Sequence, residues 1–137
     1  MLRFAKHHVK ARFVLVGIWN TIFGYGIFCL LETLFTQLFS SKFAAYMLAG
    51  VLAQILAVTN AYIWHKYITF QSKVKGTAII IEYLRFSATY AASFVLGLVL
   101  LPALVEIMQM RPKIAVAIIT ITCTIISYLG HSRFSFK

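Results

Sequence analysis

Aspartate is absent from this 137-residue chain, and glutamate occurs only at Glu32, Glu82 and Glu106. Acid–base catalysis works mostly through paired carboxylates and histidines, so few candidates for a hydrolytic centre exist. Charged residues make up 12% of the chain, against about a quarter in a soluble domain. That excludes an ordinary cytosolic globule. Two prolines and seven glycines exclude a collagen-like fibre, and a hydrophobic content of 61% excludes disorder. The two cysteines, Cys29 and Cys123, each lie inside an apolar run and do not form a disulfide framework. What is abundant is apolar surface and positive charge, with a mean hydropathy of +0.87 and 13 Lys/Arg. This is the composition of a small integral membrane protein.

Four apolar stretches, near residues 13–31, 43–64, 86–105 and 114–130, are each long enough to cross a bilayer core of about 30 Å. Backbone amides in lipid must be paired within their own segment, which favours helices over strands. The expected fold is therefore all-α, a single membrane domain of four transmembrane helices. The first stretch follows Arg3, Lys6, Lys10 and Arg12 like a secretory signal, but it has no small-residue cleavage site and reads as a retained helix.

Orientation follows the cations. The N-terminal flank, the connection holding Lys66, Lys73, Lys75 and Arg85, and the end holding Arg133 and Lys137 share one side. The other side has only Lys42, Arg111 and Lys113, beside Glu32 and Glu106. Both termini are thus expected in the cytoplasm. Positive flanks of this kind serve topology and anionic headgroups, so nucleic acid is not an expected partner. Leu2, Phe4 and Val9 before the first stretch, and Ile79–Ile81 leading into Glu82 and Arg85 before the third, suit short helices in the headgroup zone. Glu82 is expected to pair locally with Arg85.

The chain also repeats itself. Arg12-Phe13 opens the first stretch and Arg85-Phe86 the third, while His65-Lys66-Tyr67-Ile68-Thr69-Phe70 and His131-Ser132-Arg133-Phe134-Ser135-Phe136 close the second and fourth. We read residues 12–70 and 85–136 as two hairpins entering from the same side, a parallel repeat of a kind common in transporters. The elements Phe13-x-x-x-Gly17-x-x-Asn20-Thr21 and the closing Thr69-Phe70 resemble the GtrA family, small four-helix membrane proteins of cell-surface polysaccharide synthesis. His65-Lys66 departs from an Asn-Arg common there. The resemblance implies movement of a polyprenyl-phosphate sugar, of undecaprenyl type, across the cell inner membrane, with glycosyltransferases of the same pathway as partners.

Polar groups within spans are costly and tend to face the bundle interior. Counting the helix rise of 1.5 Å per residue inward from Arg12 and Lys66 puts Asn20 and Asn60 in the same, cytoplasmic half. They act either as interhelical glue or as headgroup contacts. Gly17, Thr21 and Gly24 on the first span, and Ala49, Ala53, Ala57 and Ala61 on the second, are expected to let helices approach closely. Pro102 is expected to bend the third span. Arg clamps phosphate with two parallel bonds and Lys meets it as a point charge, so Arg12, Lys66, Arg85 and Arg133 are candidate phosphate ligands, with topology signalling as the alternative for each. Trp64 belongs to the aromatic belt or stacks on a sugar. His65 and His131 lack carboxylate neighbours, which argues against a metal.

The expected function is thus translocation of a lipid-linked sugar without bond chemistry and without a cofactor. One rival is a non-transporting scaffold for a glycosyltransferase. Another is a small-multidrug-type exporter, which requires a mid-span carboxylate that Glu32 and Glu106 do not supply. No phosphate-binding Gly-x-x-x-x-Gly-Lys-Ser/Thr loop is present. Four helices barely enclose a cavity, so a homodimer is a compatible assembly alongside membrane lipids.

Overall fold

The structure is a computed structural model that describes the backbone of residues 2–134 and the side chains of residues 11–125. Its described residues are helical throughout: α1 (Leu2–Leu38), α2 (Lys42–Trp64), α3 (Ala78–Ala88), α4 (Ala91–Pro102) and α5 (Pro112–Phe134), with π-helical turns at His65–Thr69 and Ala103–Ile107. Among the described residues, two helices are long and apolar enough to cross a membrane, Ala11–Leu38 and Lys42–Thr69. A third crossing is available if Ala78–Ala88 and Ala91–Ile107, bent by 49°, count as one broken span. Among the described residues, α5 adds a shorter apolar helix, Pro112–Ile125.

The antiparallel α1–α2 hairpin is the backbone of the packing. Ser41 caps α2 by accepting from the Ala44 amide at 3.3 Å, satisfying one of the amides a helix start leaves free. Ala49, Ala53, Ala57 and Ala61 are all buried, as their spacing of four predicts. Small side chains on one face let two backbones come close. A Cβ placed on Gly24 would stand 3.2 Å from the Cβ of Ala57. Gly17 does not share this role, because a Cβ there would meet nothing within 4 Å. Towards the far end, Phe28 and Tyr46 fill the core with Leu101 and Ala115.

The third span departs from expectation in two ways. Phe86–Ala88 do not begin it but end α3, and the chain breaks at Thr89–Tyr90. There the helix tightens: the amides of Thr89 and Tyr90 bond three residues back, to Phe86 at 3.1 Å and Ser87 at 3.0 Å. The Thr89 hydroxyl also donates to Phe86 O at 2.6 Å. A hydroxyl that bonds local carbonyls competes with the helical ladder. Pro102, in turn, causes no break. It ends α4 and hands the chain to the second π-helical turn, which closes with Met108 N–H on Ala103 O at 3.3 Å. The segment before the first span is likewise not a separate helix, since α1 runs unbroken from Leu2.

Candidate functional site

The end of the α1–α2 hairpin that carries Arg12 and Lys66 holds most of the residues singled out from the sequence, and it divides into two faces. On one face, Arg12, Leu15, Val16 and Trp19 of α1 meet Trp64 and Ile68 around an open groove of about 370 Å³. Its lining is almost wholly apolar side chain apart from Arg12, which lies inside α1 where the apolar segment Ala11–Leu38 begins. Arg12 Nη1 donates to Ile68 O at 3.5 Å, its one bond to a described residue. The rings of Trp19 and Trp64 stand edge to face, 6.3 Å apart.

Beneath the tryptophans lies a polar chain. Asn60 Nδ2 donates to Asn20 Oδ1 at 3.0 Å, and Trp64 Nε1 donates to Asn60 Oδ1, also at 3.0 Å. The two amides thus meet across the hairpin, at the common depth that the helix rise implied. Asn60 has one partner on each side, whereas Asn20 has one partner within the described residues. A bifunctional amide suits this place because it donates and accepts at once.

On the other face, Lys66 turns away from the groove. Positions 64 and 68 share a helical side and position 66 faces elsewhere, as helical spacing requires. Lys66 is buried, and its ammonium reaches Glu82 Oε2 at 2.6 Å, Val74 O at 3.1 Å and Ser72 Oγ at 3.5 Å. The Tyr62 ring lies 5.7 Å away, and its hydroxyl donates to Glu82 at 3.2 Å. This corrects the expected pairing of Glu82: its ion-pair partner is Lys66, on another helix, and not Arg85, three residues on. The Lys66 hydrogen bond, with help from the Ser72 and Tyr62 hydroxyls, holds the Glu82 carboxyl below its ordinary range against the opposing cost of burial. Arg85 is exposed in the last turn of α3, where a cation suits the helix dipole.

His65 is buried among Phe13, Phe70 and Phe86, with ring centroids 4.9, 5.9 and 5.8 Å away, and Nδ1 meets Thr69 Oγ1 at 3.0 Å. It closes the packing around the π-helical turn. Arg133, Ser127 and His131 lie outside the residues whose side chains are described. No group of three His, Cys, Asp or Glu suited to a metal occurs among the described residues.

At the opposite end, Glu32 and Glu106 both have partners. Glu32 faces Lys113 at 3.5 Å, and Thr33 accepts from the same ammonium at 2.8 Å. Glu106 accepts from the hydroxyl of the buried Tyr46 at 2.8 Å. These contacts tie α5 and the α4 end to the first hairpin.

Sequence reasoning missed Trp19 and the partners of Lys66. A usable signal existed for the first: the chain has two tryptophans, and both fall near the end that carries Arg12 and Lys66. Residues 12–136 match the family described as GtrA/DPMS, transmembrane domain. No curated protein and no solved structure matches the chain.

Proposed function

The chain belongs to the GtrA/DPMS transmembrane domain family, and from that premise we propose that it carries a polyprenyl-phosphate-linked sugar across the inner membrane. It is a multi-pass helical membrane protein of a family implicated in cell-surface polysaccharide synthesis. The lipid, of undecaprenyl type, enters from the cytoplasmic leaflet and leaves its sugar to a glycosyltransferase on the outer side. In this reading four crossings are made by α1, α2, the Ala91–Ile107 segment and α5, with both termini cytoplasmic and α3 lying in the headgroup zone. The two hairpins, residues 12–70 and 85–136, are copies of one unit. The chain makes and breaks no covalent bond.

The single observation that carries the proposal is the groove ending at Arg12. In lipid an apolar groove gains little from burial alone, because the surrounding chains are equally apolar. Selection must come from shape and from the one charged group. Arg12 supplies that group: a planar guanidinium with donors to spare beyond its single 3.5 Å contact. The prenyl chain lies against Leu15, Val16, Trp19 and Trp64, and Trp64 is held by Asn60, which is itself bonded to Asn20. Lys66 acts on the opposite face, where its charge is already met by Glu82. Arg85 and Arg133 assist at the membrane surface.

The test is reconstitution in liposomes with a fluorescent polyprenyl-phosphate sugar in both leaflets and dithionite outside. Protein-containing liposomes are expected to lose the protected inner-leaflet signal, while protein-free liposomes keep it. Retention of that signal, together with recovery of a glycosyltransferase in a pull-down, would replace transport with the scaffold reading.

A further inference from the structure

The Lys66–Glu82 pair closes a strap. Helix α3 has no buried residue of its own and lies between a non-helical connection and a break in the helix. On one side is the connection of residues 70–77, with left-handed backbone at Gln71 (φ 49) and Gly76 (φ 67). On the other is the Thr89–Tyr90 break, where the axis turns by 49°. Between them α3 is tied to α2 at few points. Tyr83 meets Thr59 through its hydroxyl at 2.9 Å, Tyr62 bonds Glu82 and Ile79 O, and Phe86 packs on Tyr62 and His65.

Only one of these ties neutralises a charge. Lys66 has three N–H donors, and all three are engaged, by Ser72, Val74 and Glu82. Two of those acceptors are neutral and sit in the connecting segment, so the buried ammonium depends on Glu82 for its counter-charge. A buried charge left without a partner is costly. An anion that a lipid tail concentrates at Lys66 can therefore take the place of Glu82, and a phosphate, with several acceptor oxygens, can also receive the Tyr62 hydroxyl. The route is open, because Glu82 keeps 30% of its side chain exposed while Lys66 keeps 4%. A second observation points the same way. Ser87 Oγ, two residues before the break, is the one buried side-chain polar atom without a partner among the described residues. Such a group normally finds a bond, and it gains one, to water or headgroup, when α3 lifts.

We propose that α3 is a strap latched over the end of α2 by Lys66 and Glu82, and that the phosphate of an anionic lipid opens it by replacing the Glu82 carboxylate on Lys66. This rests on the transport reading for the identity of the lipid, and it makes Glu82 the competitor that decides which anions gain entry. The π-helical turn carrying Lys66 fits such a role, since π-bulges recur at functional sites.

The latch is tested with a Ser87→Cys reporter in a chain whose Cys29 and Cys123 are replaced by Ala, reconstituted in phosphatidylcholine nanodiscs. Labelling by a water-soluble maleimide is followed with farnesyl phosphate, farnesol or inorganic phosphate added, and tryptophan emission is read in parallel. Farnesyl phosphate should speed labelling at least ten-fold, while farnesol and inorganic phosphate should not. Glu82→Gln should label fast with nothing added. Equal acceleration by inorganic phosphate would overturn the lipid as the source of the anion. Slow labelling of the Glu82→Gln chain would overturn the latch itself. Unchanged labelling while tryptophan emission reports farnesyl phosphate binding would also overturn the latch, but would leave the transport reading intact. Absence of any tryptophan response would instead defeat that reading.

Discussion

Replacing Asn20 and Asn60 by Leu, singly and together, separates structural glue from a headgroup contact. Asn20→Leu removes one hydrogen bond, to Asn60 at 3.0 Å, whereas Asn60→Leu removes that bond and the 3.0 Å bond from Trp64. Interhelical side-chain bonds in membranes average about 0.6 kcal/mol and reach about 1.7. The expected costs are therefore about 0.6–1.7 kcal/mol for Asn20→Leu and at least as much for Asn60→Leu, which also loses the bond from Trp64 within α2. Because both changes delete the same shared bond, the double variant should cost no more than Asn60→Leu alone, a coupling of about 0.6–1.7 kcal/mol. Unfolding in mixed micelles of increasing SDS fraction measures all four chains. Trp64 loses its partner only in the Asn60→Leu chains, so only those should shift tryptophan emission at zero SDS. Additive costs, or a larger loss for Asn20→Leu than for Asn60→Leu, would refute the assigned network. Lost transport in an Asn20→Leu chain whose stability falls by no more than this amount would place Asn20 on the substrate path.

Other outcomes follow from the same geometry. A cysteine at Ser41 should react with a membrane-impermeant reagent in intact cells and one at Lys73 should not; the opposite pattern would reverse the orientation. Gly24→Leu should destabilise by about 1–3 kcal/mol through overpacking against Ala57, less up to about 1 kcal/mol of helix propensity, while Gly17→Ala should cost nothing. Equal effects at the two glycines in an SDS titration would contradict the α1–α2 contact. Lys66 holds the folded-state Glu82 carboxyl below its unfolded value, so the latch contributes fully above about pH 4.3 and is lost as pH falls through the lower folded value. Amide hydrogen exchange of α3, corrected for its intrinsic pH dependence, should rise only in that acid window, and Glu82→Gln should abolish the dependence.

The helices and the first hairpin were legible because apolar runs and a spacing of four between alanines report directly on membrane length and packing. Asn20 and Asn60 were legible as a pair because the helix rise places them at one depth, whereas Arg12, expected at a helix end, lies inside α1, which starts at Leu2. The break at Thr89–Tyr90 was not, since neither Gly nor Pro marks it and a hydroxyl bonding its own carbonyls leaves no pattern in sequence. Pro102 did not mark the break, because the helix continues past it into a π-helical turn at Ala103–Ile107. The partner of Glu82 was hidden by distance. Local rules favour a cation three residues away, on the same helix, but the fold brings Lys66 to it from sixteen residues back.

Binding of farnesyl phosphate, followed through the two tryptophans that line the groove, tests the central claim most directly. A charge-assisted bond to phosphate contributes about 1.5–3 kcal/mol, so Arg12→Ala should weaken binding about ten- to a hundred-fold. Lys42→Ala, at the opposite end of the hairpin, should bind like the parent chain. Equal affinity in the Arg12→Ala and parent chains would contradict the phosphate site and leave Arg12 as a signal for topology alone.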